Sequence, residues 1–176
     1  MIECEDYIKL LESSDPVVVS EAAFSLADMG CSDAAPHLLR ILFREEFATI
    51  NAVAYALGEL KVQGAKSKLI SLVGDPRTKG HRGSFLYALL SLDCRDDYPE
   101  IVKFLFDDYF EVRQKAAMIL EQIIPHQADV LLAMSREGLQ ESLGAMPSDD
   151  ERFDQVKNVY DDVRSEIARR AQASME

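Results

Sequence analysis

Thr49-Ile50-Asn51-Ala52-Val53-Ala54-Tyr55-Ala56-Leu57-Gly58-Glu59-Leu60 is the stretch that decides the fold. Ala54, Leu57 and Leu60 fall at i, i+3 and i+6, one stripe of an amphipathic helix. One such helix says little, but the stripe recurs in 18–29, 81–92 and 112–123. Leu57 aligns with Leu26, Leu89 and Leu120, at steps of 31, 32 and 31. Ala54 aligns with Ala23, Leu86 and Ala117, and Leu60 with Met29, Leu92 and Ile123. All are apolar, and four copies at one period predict a repeat architecture.

Between these helices a second apolar column repeats with the same steps: Leu38, Leu69, Ile101 and Leu132. Leu42, Val73 and Leu105 follow four residues later, and the fourth copy departs with Arg136. Each unit is therefore two helices joined by short turns. One pair cannot bury its apolar faces alone, so neighbours must stack. Asp15-Pro16 and Asp75-Pro76 read as helix starts, with a capping carboxylate before a first-turn proline. Ser148 with Glu151 reads as a capping box. Phe153, Val156, Tyr160, Val163 and Ile167 follow as one long amphipathic helix. We expect an all-α, α-α superhelix of four to five helix pairs over 1–143. A helix over 148–174 caps the same domain.

The quoted pieces resemble the HEAT-repeat family, in particular the short bacterial HEAT-like repeats related to phycobilisome lyases. The family pattern D-P-x-V-R-x-x-A-A-x-A-L-G is matched by Asp15-Pro16 with Ala22-Ala23 and Leu26. It is matched again by Ala54-Tyr55-Ala56-Leu57-Gly58, and by Val112-Arg113 with Ala116-Ala117 and Leu120. The third copy, His81-Arg82 with Leu86-Tyr87-Ala88-Leu89, is poorer. The resemblance covers roughly 3–143. It implies that helices near 3–13, 33–44, 63–73, 96–107 and 126–137 are outer. Those near 16–29, 46–60, 77–92 and 109–124 are then inner and line a concave face.

Composition narrows the partners. The net charge is −12, from 31 acidic and 19 basic side chains. Phosphate backbones repel such a surface, so no nucleic-acid partner is expected. A basic protein partner suits it better. The acidity concentrates in residues 1–60, whereas 61–82 are net basic through Lys61, Lys66, Lys68, Arg77, Lys79 and Arg82. That stretch reads as solvated helix ends, or as a contact or self-association patch. Three scattered cysteines, Cys4, Cys31 and Cys94, predict reduced thiols. With no signal peptide and no apolar run of spanning length, a cytoplasmic protein without membrane association is expected.

No catalytic residue, metal site or cofactor is expected. His37, His81 and His126 lie on different repeats, without the repeated His-Glu pairs that the iron-dependent deoxyhypusine hydroxylases of similar fold require. The basic, aromatic cleft of HEAT-like DNA glycosylases has no counterpart. Asp96-Asp97, Asp107-Asp108, Asp149-Asp150 and Asp161-Asp162 read as helix-start charge.

The inner helices carry a second stripe two residues before the leucine column: Phe24, Tyr55, Tyr87 and Met118. Four residues earlier stand Ser20, Asn51, Gly83 and Gln114; four later stand Asp28, Glu59, Ser91 and Gln122. This stripe is either a partner-binding ridge or packing between adjacent helices, with Phe24 the member expected deepest in the core. The candidate contacts are Phe24, Asp28, Asn51, Tyr55, Glu59, Tyr87, Gln114 and Met118. The function expected is a non-catalytic protein-binding module, such as an adaptor, a regulatory subunit or a toxin-neutralising immunity-type protein. It is a monomer or weak homo-oligomer. The alternative is a bilin lyase or isomerase subunit.

Overall fold

Our computed structural model describes residues 3–44 and 47–175. These form ten α-helices linked by turns, many of them 3-10, and contain no strand. The chain divides into two compact units, Met1–Asp93 and Cys94–Glu176.

The first unit holds three helix pairs: α1 (Cys4–Leu10) with α2 (Pro16–Asp28), α3 (Ala35–Arg44) with α4 (Ile50–Glu59), and α5 (Lys66–Gly74) with α6 (Arg82–Leu89). Within each pair the helices pack on one another, and α2, α4 and α6 lie side by side. Leu26, Leu57 and Leu89 are fully buried, as are Leu38, Leu69, Ala23, Ala54 and Leu86. The period read from the sequence is thus the period of the core. Gly58 explains why the Ala-Leu-Gly pattern suits this layer. A Cβ there would stand 2.7 Å from the Ala88 Cα, so α4 and α6 approach backbone to backbone.

Capping follows from local chemistry. Asp15 accepts from the Val17 N–H at 2.9 Å and opens α2 before Pro16. The α2 terminus is a Schellman turn. Gly30, at φ 66°, donates to the Ala27 carbonyl, and Cys31 donates to that of Leu26. The α4 terminus repeats this with Lys61 in the glycine position at φ 52°, and Val62 donating to Leu57.

The second unit contains α7 (Tyr98–Lys103), α8 (Phe110–Ile123), α9 (Asp129–Ala145) and α10 (Phe153–Ala173). Ile101, Leu105, Leu120 and Leu132 are its repeat-column core. The last helix packs on α8 and α9, burying Val156, Val159 and Val163. Arg113 of α8 is fully buried. Its guanidinium donates to the Asp107 and Asp108 carbonyls and to the carbonyl and carboxylate of Glu151.

Several expectations need correction. Met29 is exposed, because α2 ends one residue before it and the chain turns away. The helix expected over 77–92 is only α6. Ahead of it, Pro76–Thr78 form a 3-10 turn in which the buried Thr78 hydroxyl donates to the Leu72 and Asp75 carbonyls. The start expected at 46 lies outside the described residues. The Ser148–Glu151 capping box does not form. Glu151 is taken by Arg113, and Asp150 instead accepts from the Arg152 backbone and guanidinium. Asp161-Asp162 lies inside α10 rather than at a helix start, with Asp161 paired to Lys157. Cys4 and Cys31 are not free thiols but a disulfide. The α1–α2 hairpin brings the start of α1 beside the end of α2, leaving their Cα atoms 6.0 Å apart. Cys94 is a buried free thiol.

Candidate functional site

The face of α2, α4 and α6 that points away from α1, α3 and α5 carries the second stripe. Its position on that face follows from spacing: Tyr55 sits two residues before buried Leu57, about 200° around the helix. Phe24 is 44 % exposed and Tyr87 40 %, while Tyr55 between them is half-buried. The rings form a ladder across three helices. Phe24 tilts onto Tyr55 at 5.4 Å between centroids, and Tyr55 stacks on Tyr87 at 5.7 Å with ring planes 13° apart. Ring contact and exposure therefore coexist. Phe24, expected to be the deepest, is the most open of the three.

Asp28 and Glu59 border the ladder, both exposed. The Tyr87 hydroxyl donates to Glu59 Oε1 at 3.2 Å. Glu59 foremost, then partial burial and Asp28, raise the Tyr55 pKa above its ordinary value. The Glu59 charge, its hydrogen bond and partial burial do the same for Tyr87. On the other border, Asn51 Oδ1 lies 2.9 Å from His81 Nδ1, and the His81 ring stacks with Phe47 and with Phe85. The sequence reading sets His81 aside because it tests histidines for metal and catalytic spacing. The signal that would have placed it here is its position two residues before Gly83, the repeat counterpart of Asn51, close to the start of the third inner helix.

Gln114 and Met118 lie on α8 of the second unit, both exposed. There they line a shallow cleft of about 280 Å³ with Phe110, Glu121 and the α10 residues Gln155 and Asp162. The structure thus brings Phe24, Asp28, Asn51, Tyr55, Glu59 and Tyr87 together on one unit and places Gln114 and Met118 on the other. A groove of about 360 Å³ between α7 and α9 is lined mainly by apolar groups, among them Val102, Phe106, Leu131 and Met134. Its Tyr98 hydroxyl is sealed from water, and that burial pushes its pKa up. Among the described residues no group of three or more acidic, histidine or cysteine side chains is placed to hold a metal ion.

A family described as HEAT repeats matches residues 5–90, just under half of the chain. Residues 5–90 are similar to HEAT repeats. The match spans the three helix pairs of the first unit, aromatic ladder included. Solved structures extend the HEAT likeness over most of the chain. One engineered protein from the Northeast Structural Genomics Consortium has a TM-score of 0.64 at 19 % identity, over 96 % of this chain and 80 % of its own. A second reaches 0.65 at 19 % identity, over 96 % of this chain and 48 % of that one. The complex of CpcE and CpcF of phycocyanin lyase from Nostoc sp. PCC7120 gives 0.61 at 15 % identity, over 89 % and 96 %. At these identities the likeness is one of fold, and the fold class is the α-α superhelix. No curated protein matches the chain. HEAT repeats are scaffolds for protein interaction. No described helix is long and apolar enough to cross a membrane.

Proposed function

We propose that this protein is a non-catalytic binding module that holds a protein partner against the ladder face of α2, α4 and α6. The observation that carries the reading is the row Phe24–Tyr55–Tyr87, in ring contact along its length and exposed at Phe24 and Tyr87. Aromatic side chains on an open face are the composition of interaction hot spots. Here they are also preorganised, since ring-on-ring contact limits the rotamer freedom lost on docking. A basic partner surface suits the bordering carboxylates and the net charge of −12. An immunity-type protein that neutralises a basic toxin is one form of this reading; an adaptor or regulatory subunit is another.

The test is affinity capture from cells with wild-type protein and with Tyr55→Ala and Tyr87→Ala. A specific partner retained by wild type and lost from both variants, with helical circular dichroism unchanged, supports the site. A partner held equally by all three places binding elsewhere.

The molecule is proposed to act as a monomer, or as a weak homo-oligomer if residues 61–82 meet the acidic N-terminal part. Light scattering distinguishes these. Part of that basic charge is already engaged, with Arg77 on Asp75 and Lys68 over the Phe43 ring. The cytoplasm is the proposed setting. There the Cys4–Cys31 bond is open to exchange with glutathione, and counting free thiols on protein taken from cells reports the form present. A bilin lyase or isomerase subunit is the second reading, motivated by the likeness of fold to the CpcE–CpcF complex. An unchanged bilin spectrum on mixing removes it.

A further inference from the structure

We infer that the ladder face selects arginine side chains: a guanidinium of the partner stacks on the Tyr55–Tyr87 rings and forks onto Glu59 or Asp28. This rests on the binding reading above and adds the chemistry of the contact.

Asp28 is the last residue of α2 and Glu59 the last of α4. A helix C-terminus already carries negative partial charge, so a carboxylate there is unfavourable to the isolated fold. Elsewhere the chain places acids well, with Asp15 and Asp75 capping turns and Glu166 held by Arg169 and Arg170. Neither α2 nor α4 has a basic residue in its last turn, and neither Asp28 nor Glu59 has a cationic partner among the described residues. Two exposed acids, each four residues from a ladder aromatic, are thus left facing solvent at the negative ends of neighbouring helices. That arrangement costs the fold something and creates a site for a cation.

The neighbouring rings specify which cation. The Tyr55 and Tyr87 rings stack within 13° of parallel at 5.7 Å between centroids, and Tyr87, the more exposed of the two, leaves π surface open to a cation. No cation of the described chain stands over either ring. A planar guanidinium stacks on such a surface and still directs its N–H fork sideways to a carboxylate. An ammonium is a hydrated point charge that gains the carboxylate but little from the flat stack. The Tyr87 hydroxyl donates to one Glu59 oxygen and so fixes that carboxylate at the rim of the rings.

The experiment measures anisotropy of a labelled oligoarginine peptide and of an oligolysine peptide of equal length. For wild type we expect oligoarginine to bind at least about fivefold more tightly. Asp28→Asn with Glu59→Gln should weaken both peptides while leaving thermal stability unchanged or higher. Tyr87→Leu should erase the arginine preference and spare oligolysine binding. Equal affinities for the two peptides in wild type overturn the inference. So does a preference that survives in Tyr87→Leu or, should that variant not fold, oligoarginine binding that is undiminished in Asp28→Asn with Glu59→Gln. Capture of a partner that depends on Tyr55 and Tyr87 but shows no loss when the partner's arginines become lysines leaves the binding face standing and defeats the arginine claim alone.

Discussion

At the scale of single residues, the two Schellman turns of the first unit make an internal comparison. Gly30 and Lys61 occupy the same position of the same motif one repeat apart, at φ 66° and 52°. Glycine adopts that region freely, whereas a side chain crowds its own carbonyl there. Lys61 is exposed, and among the described residues its side chain has no hydrogen-bond or ion-pair partner. Replacing it removes strain without removing a contact. Lys61→Gly should therefore stabilise the first unit by about 0.5–1 kcal/mol, net of the extra chain entropy that glycine brings to the unfolded state. Urea denaturation followed by circular dichroism checks this; a lower midpoint would show that the turn is not strained. Gly58 predicts the opposite sign. A Cβ at that position meets the Ala88 backbone, so Gly58→Ala should lose about 1–3 kcal/mol despite its better helix propensity.

At the scale of elements, helix pairing was legible because burial sets the period, and the columns of Leu57 and Leu38 proved to be the core. What the sequence hides is whatever depends on which ends meet. The Cys4–Cys31 bond needs the α1–α2 hairpin, and Glu151 left its expected box because Arg113 reaches it from 38 residues away. The ladder was legible as a stripe but not as an exposed one, since spacing alone does not distinguish a groove filler from an open ridge. The attachment of α10 was likewise visible only as an amphipathic helix. In the structure Glu166, nearly buried, accepts from Arg169 and Arg170. Arg170 also donates to the Pro125 and Gln127 carbonyls and to Asp129, tying α10 to the α8–α9 turn. Hydrogen bonds from Arg169 and then Arg170 lower the Glu166 pKa from 4.5 to about 2. A depressed carboxylate stabilises the fold above its unfolded pKa, and that contribution is lost as pH falls from about 4.5 towards about 2. Glu166→Gln should therefore cost about 1 kcal/mol at neutral pH, modest because Arg169 is open to solvent. It should also flatten the acid limb of stability over that window. A mutant whose loss is the same at pH 7 and at pH 2 would remove Glu166 from the acid transition.

At the scale of the whole molecule, the decisive quantity is the net charge of −12, and it acts on encounter rather than on fold. For the basic partner proposed above, long-range attraction raises the association rate and is screened once the Debye length falls below the approach distance, near 10 Å at about 0.1 M salt. Contacts made after docking, such as a ring stack with a carboxylate beside it, are desolvated and screened far less. The two contributions should therefore separate in kinetics. With the captured partner in a surface-resonance experiment, raising salt from about 0.05 to about 0.5 M should slow association roughly tenfold or more and change dissociation only slightly. Tyr87→Leu should do the reverse, leaving association near wild type and speeding dissociation. If salt acts mainly on dissociation, the acidic surface is part of the docked interface rather than a steering field. The contact would then extend well beyond the three rings of the ladder.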